Sequence, residues 1–110
     1  MVLENNNSLN NKVIIVTGGT GALGNSFVNA IAEAGGTVGI LGRDEEVASR
    51  RAMIINNKGG KAVALKADVL NEKELNTAKD KVLQQFGRID GLVNAAGGIQ
   101  PGSALMPGQD

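Results

Sequence analysis

Four glycines within seven residues, Gly18, Gly19, Gly21 and Gly24, separate the apolar run Val13-Ile14-Ile15-Val16 from a segment of helical periodicity. An apolar run without polar alternation reads as a strand buried on both faces. From Ala22 to Ala34 the apolar residues Leu23, Phe27, Ile31 and Ala34 recur three or four positions apart, which marks one face of a helix. Strand, glycine-rich turn and helix N-terminus together make a frame for an anion. Glycine has no Cβ and accepts positive φ, so the backbone can approach a phosphate closely. The helix directs free N–H groups and the positive end of its dipole at the same point. So many glycines carry a large entropic penalty, and a turn that binds nothing would need another reason for them.

The same alternation continues along the chain. Gly35-Gly36 closes the first helix and Thr37 to Leu41 reads as a second strand. Asp44 is placed to cap a second helix running to about Asn57, with Glu45 and Glu46 suiting its first-turn dipole. Its apolar stripe is Val47 or Ala48, then Ala52 and Ile55. Ala62 to Leu65 forms a third strand, and Asn71 caps a third helix with Leu75, Ala78, Val82 and Phe86 on one face. Ile89 to Val93 is a fourth strand interrupted by Asp90-Gly91. A strand recurring at intervals of about 25 residues with a helix between predicts an α/β fold, a Rossmann-type doubly wound parallel sheet. A complete sheet of this kind has about six strands, so the βαβαβαβ pattern is expected to be its N-terminal part only. The expected organisation is a flexible polar leader over 1–11, with Ser8-Leu9 docking before the first strand, a dinucleotide-binding half-domain over 12–97, and a loop over 98–110.

Composition removes several classes of function. The 110 residues carry 11 basic and 11 acidic side chains, and no block of like charge points to nucleic acid or a membrane surface. There is no Cys and no His, so the thiolate and imidazole metal ligands and the commonest general base are missing. No apolar run approaches the roughly 20 residues of a membrane span, and the Asn-rich start lacks the pattern of a signal peptide. A cytoplasmic protein with no nucleic-acid or membrane partner is the expectation.

The turn satisfies G-x-G-x-x-G through Gly19, Gly21 and Gly24. Gly19, Gly24 and Ser26 also fit the spacing of a triphosphate loop, but Asn25 occupies the lysine slot and supplies no cation. In the dinucleotide reading Gly18, Gly19, Thr20 and Gly21 bring backbone to the pyrophosphate. Leu23 turns its N–H outward and its side chain inward, and Gly24 permits close packing of helix on strand. The Thr17 hydroxyl is placed to tie the turn. Strand 2 ends Leu41-Gly42-Arg43-Asp44, so glycine stands where an acidic residue usually takes the ribose 2′-OH, about 20 residues on. Arg43 fits a 2′-phosphate instead, which favours NADP, with NAD as second choice. Asp44 would become the ribose ligand if the strand ended one residue later; its other role is the helix cap.

With strand 4 the chain resembles the short-chain dehydrogenase/reductase family. Thr17 to Gly24 is similar to that family's T-G-x-x-x-G-x-G loop, with Ala22 where its middle glycine sits. Asp68-Val69 is similar to its Asp-Val pair, whose Asp contacts the adenine ring. Asn94-Ala95-Ala96-Gly97 resembles its N-N-A-G motif, with Ala95 in place of the second Asn. The resemblance implies that these four residues line the cofactor side and that Asn94 braces the central strands. The loop also reads T-G-x-x-G-x-x-G, the form of the epimerase-like branch, whereas Phe86-Gly87-Arg88-Ile89-Asp90 and Asn94 to Gly97 resemble the ordinary short-subunit branch. Within it TGGTGALG, LGRDEE and NAAGG look like the D-mannonate (fructuronate) oxidoreductases, with gluconate dehydrogenase-like members close behind.

The resemblance therefore implies hydride transfer between a nicotinamide and a carbonyl or alcohol of a sugar acid or polyol. The family's catalytic Asn, Ser, Tyr and Lys would fall beyond Asp110. The chain has no Tyr, so it is expected to be inactive by itself, with no catalytic residue and no metal. Subunit contacts in the family lie mainly on later helices, which leaves homo-oligomerisation open. The alternative is a non-catalytic nucleotide-binding module or a truncated gene product.

Overall fold

The computed structural model of the chain describes residues 8–95. Seven elements alternate: β1 (Val13–Thr17), α1 (Ala22–Glu33), β2 (Thr37–Gly42), α2 (Glu45–Asn57), β3 (Lys61–Lys66), α3 (Glu72–Phe86) and β4 (Gly91–Asn94). The strands form one sheet in the order β3-β2-β1-β4, with every neighbouring pair parallel. Chain order reverses between β1 and β4, which makes this the switch point of a Rossmann-type α/β fold.

Helices cover both faces of β1 and β2, and this is why those strands are apolar at successive positions. Val16, Val38 and Ile40 pack under Val28 and Ile31 of α1 and Ala48, Ala52 and Ile55 of α2. Val13, Ile15, Leu41 and Leu65 pack against Ala78 and Val82 of α3. β2 is buried along its whole length. In α1 the fully buried face runs through Gly24, Val28 and Ile31, one residue round from the Leu23-Phe27 stripe predicted from spacing. Leu23 and Phe27 are half-buried at the margin of that core. The open alternative in α2 resolves to Ala48, and Leu75 and Phe86 flank the buried pair in α3.

Leu9 docks as anticipated. Its N–H donates to the Ala34 carbonyl at 2.9 Å and its side chain reaches the α1 side of the core. Asp44 caps α2 by accepting from Val47 N at 3.2 Å, and Asn71 caps α3 by accepting from Glu74 N at 3.1 Å.

β4 begins at Gly91 rather than Ile89. Asp90 does not interrupt the strand; it fixes the start of its neighbour. One carboxylate oxygen accepts from Val13 N at 2.8 Å, while Asp90 N donates to the Val13 carbonyl at 2.7 Å. Arg88 closes on the same carboxylate through Nη2 at 2.7 Å. The Arg88 hydrogen bond, followed by that from Val13 N, holds the Asp90 pKa below the ordinary carboxylate value. A lowered folded-state pKa means that the unfolded chain binds the proton more readily as acid is added. The stabilisation is present above the ordinary carboxylate range and is lost as pH falls through the lowered value. Asp90→Asn should therefore flatten the acid limb of a stability–pH curve measured by urea unfolding. A variant limb as steep as the wild type's would contradict this linkage.

Candidate functional site

Where β1 ends, the chain turns sharply at Gly18, whose φ of 74° lies in the region that favours glycine. The turn is then locked from several sides. Gly19 N donates to the Leu41 carbonyl at 3.0 Å and Gly21 N to the Gly18 carbonyl at 3.1 Å. A Cβ on Gly19 would stand 2.8 Å from Ile40 Cγ2 and 3.1 Å from the Val16 carbonyl oxygen, so the turn lies flat on β2. A Cβ on Gly24 would run into the Gly18 carbonyl oxygen and stand 2.7 Å from Gly19 Cα. The sequence assigned Gly24 to close helix packing, and the partner is the turn itself.

Gly21 differs. It is the residue before α1, in extended backbone with φ −89°, and the nearest atom to an added Cβ is the Gly18 carbonyl oxygen at 3.6 Å. A Cβ there would make only an ordinary van der Waals contact, and Gly21 lines a cavity of about 480 Å³. No side chain caps α1 and its first turn holds no acidic residue. The N–H groups of Ala22, Leu23 and Gly24 therefore lack an intrahelical acceptor. Both α2 and α3, by contrast, carry a side-chain cap and two acidic residues in the first turn.

The cavity is lined by Gly18, Thr20 and Gly21 from the turn, Gly42 and Arg43 from the end of β2, Ala67, Asp68, Val69 and Leu70 after β3, and Ala95 after β4. All of these lie at or just beyond the C-terminal ends of parallel strands, where open α/β sheets place ligands. Of the residues expected at the site, Gly18, Thr20, Gly21, Arg43, Asp68, Val69 and Ala95 come together here. Thr17, Gly19 and Gly24 are buried beneath it, and Leu23 packs half-buried against the core. Ala96 and Gly97 lie outside the described residues.

The Thr17 hydroxyl corrects one expectation. It reaches the Val93 carbonyl at 3.3 Å and Asn94 Oδ1 at 3.1 Å, tying β1 to β4 rather than bracing the turn. Asn94 thus sits where β4, an edge strand of the described sheet, joins β1.

At the end of β2, a Cβ on Gly42 would stand 2.6 Å from Thr20 Oγ1 and 2.7 Å from Thr20 Cγ2. A carboxylate side chain at Gly42 would have to displace Thr20. Asp44 is committed to its cap, whereas the exposed Arg43 guanidinium has no partner among the described residues. Asp68 uses one carboxylate oxygen on Leu70 N at 2.9 Å, and Glu74 reaches back to Asp68 N at 2.9 Å. Those contacts fix the corner at which Asp68 and Val69 face the cavity.

Two contributors had no place in the sequence reading. Glu74 is one. The other is Arg51 of α2, whose Nη1 donates to the carbonyls of Gly19 at 2.6 Å and Gly21 at 2.8 Å. A larger hollow of about 880 Å³ opens at the opposite end of the sheet, beside Gly35, Lys58 and Phe86. It gathers the C-terminal ends of all three helices, where dipoles disfavour an anion. Among the described residues there is no acidic or sulfur cluster suited to a metal, and no helix long and apolar enough to cross a membrane.

A model of the short chain dehydrogenase family matches residues 12–107. The chain belongs to that family. Members are oxidoreductases that bind nicotinamide dinucleotides. The uncharacterized oxidoreductase UxuB of Bacillus subtilis is 39% identical over 94 residues, which cover 86% of this chain and 34% of that protein. Cyclopentanol dehydrogenase of Comamonas testosteroni is 37% identical over 102 residues, 93% of this chain and 39% of the other. Among solved structures, a proposed D-mannonate oxidoreductase from Haemophilus influenzae, with NAD bound, superposes with a TM-score of 0.80. That match has 35% identity and covers 88% of this chain and 35% of the other. The chain thus spans between 34% and 39% of the length of these three family members.

Proposed function

We propose that the chain is the dinucleotide-binding part of a short chain dehydrogenase that takes NADP in preference to NAD and acts on a sugar acid or related polyol. The observation that carries the cofactor reading is the cavity at Gly18, Thr20 and Gly21. It joins an uncapped helix N-terminus to a cavity-lining glycine at which a Cβ would make only an ordinary van der Waals contact, so that no close packing within the fold requires glycine there. A diphosphate fits that combination of donors and close backbone. The adenosine would extend along the β2 and β3 ends, with its 2′ position at Arg43 and its base against Asp68 and Val69. Asn94, Ala95, Ala96 and Gly97 would border the other side, and Thr17 would hold the β1–β4 junction beneath. Leu23 and Gly24 contribute N–H groups from the first turn of α1.

NADP is favoured because Thr20 fills the space beside Gly42 and Arg43 is uncommitted. The bound nicotinamide supplies the hydride chemistry, and the residues here bind and orient it. The sugar-acid reading is supported by the Haemophilus influenzae neighbour and by the motifs of the turn and of Asn94 to Gly97. With no Tyr to hold or move the proton in the manner the family resemblance implies, this chain by itself is proposed to bind without turnover.

Calorimetric titration with NADP and NAD tests the reading. Arg43→Ala should weaken NADP by about tenfold, the value of one exposed charge-assisted contact, and leave NAD within about twofold. Equal losses for both cofactors would refute the 2′-phosphate role. Cofactor-dependent oxidation of a sugar acid by the purified 110-residue chain would refute the proposed inactivity.

A further inference from the structure

Arg51 lies half-buried on α2 beside Ala52 and carries the only side-chain contacts to the glycine turn's carbonyls among the described residues. One nitrogen, Nη1, spans the carbonyls of Gly19 and Gly21, at 2.6 and 2.8 Å. In a planar trans peptide the carbonyl oxygen and the next residue's N–H point in opposite directions. Holding the Gly19 and Gly21 carbonyls toward α2 therefore turns the N–H groups of Thr20 and Ala22 away from α2. Gly21 also accepts from Asn25 N at 3.0 Å, so the same carbonyl is shared between α1 and Arg51.

The electrostatics point the same way. No carboxylate pairs with Arg51 among the described residues. Its guanidinium is bonded to the residue before α1, at the positive end of that helix dipole, and the first turn of α1 offers no acidic residue. A cation in that position is unfavourable until an anion arrives.

We propose that Arg51 is a positioning residue for a diphosphate at the turn, orienting the Thr20 and Ala22 N–H groups from behind. This rests on the cavity being a dinucleotide site. Arg51 does not line the cavity, so it acts through the turn rather than on the ligand. The expected consequence is selective for ligands that carry a diphosphate.

The test uses the 110-residue chain with Arg51→Met and Arg51→Lys. Binding of NADP and of adenosine 2′-monophosphate, which lacks the diphosphate, is followed by titration of amide NMR signals. Arg51→Met should weaken NADP about tenfold and adenosine 2′-monophosphate less than about twofold. It should also shift the ligand-free Thr20 and Ala22 amide signals. Arg51→Lys keeps a cationic donor and should lose about threefold on NADP alone. If Arg51→Met does not fold, the lysine variant carries the comparison. Wild-type affinity for NADP in a folded variant would overturn the role of Arg51 and leave the dinucleotide reading intact. Equal losses on both ligands would also overturn it, as general damage. A wild-type chain that binds neither ligand would overturn the dinucleotide reading, and this proposal with it.

Discussion

Gly24→Ala should destabilise the folded chain by about 3 kcal/mol or more, a large share of a typical domain's total. The added methyl has nowhere to go. It meets the Gly18 carbonyl oxygen, Gly18 C at 2.8 Å and Gly19 Cα at 2.7 Å, all of them backbone. A flexible side chain could swing aside, but this backbone is held by Gly19 N on Leu41 and by Arg51. Relief requires α1 to lift off the sheet, which would uncover Val28 and Ile31 beneath it. Urea unfolding followed by circular dichroism measures the loss. A change below about 1 kcal/mol would show that the turn yields more easily than its contacts imply.

Gly21→Ala should do the opposite: keep the fold and remove the affinity. Its backbone is ordinary extended chain, and the nearest atom to the new methyl is 3.6 Å away. Stability should fall by no more than about 1 kcal/mol, the effect of alanine at a helix N-cap. The methyl enters the space where the turn borders the cavity, so a diphosphate can no longer approach the α1 N–H groups. Affinity for NADP should drop at least tenfold, or about 1.4 kcal/mol. Calorimetry beside a thermal melt separates the two effects. Unchanged affinity in a folded variant would mean that the ligand does not lie against Gly21. Two glycines three residues apart thus serve different ends, which G-x-G-x-x-G does not distinguish.

Much of the architecture was legible because it follows from local rules. β1 takes in the whole apolar run Val13 to Val16 and adds Thr17, and Asp44 and Asn71 cap the helices assigned to them. What the sequence obscured depends on contacts distant along the chain. Asp90 looks like a defect in β4 until Val13, 77 residues away in sequence, is placed beside it. Thr17 reads as a turn residue, but its hydroxyl serves β4 because the sheet order sets that strand next to β1. In α1 Ile31 and Ala34 are buried as their spacing predicts, but in the first two turns the buried positions are Gly24 and Val28 rather than the larger Leu23 and Phe27. Burial there is decided by how near the helix approaches the turn. Arg51 did leave a signal. It lies three residues after Ala48 and four before Ile55, on the buried side of α2, where an unpaired charge is out of place. Its purpose becomes visible only when α2 is set against the glycine turn.

Amide NMR of the 110-residue chain during titration with NADP shows whether a dinucleotide is held at the C-terminal ends of the strands. Saturable shifts are expected at Gly18 to Gly24, at Gly42 and Arg43, and at Asp68 and Val69. None are expected at Gly35, Gly59 and Gly87, which lie at the other end of the sheet. Shifts confined to that opposite end, or no shifts at millimolar NADP, would contradict binding at the C-terminal ends.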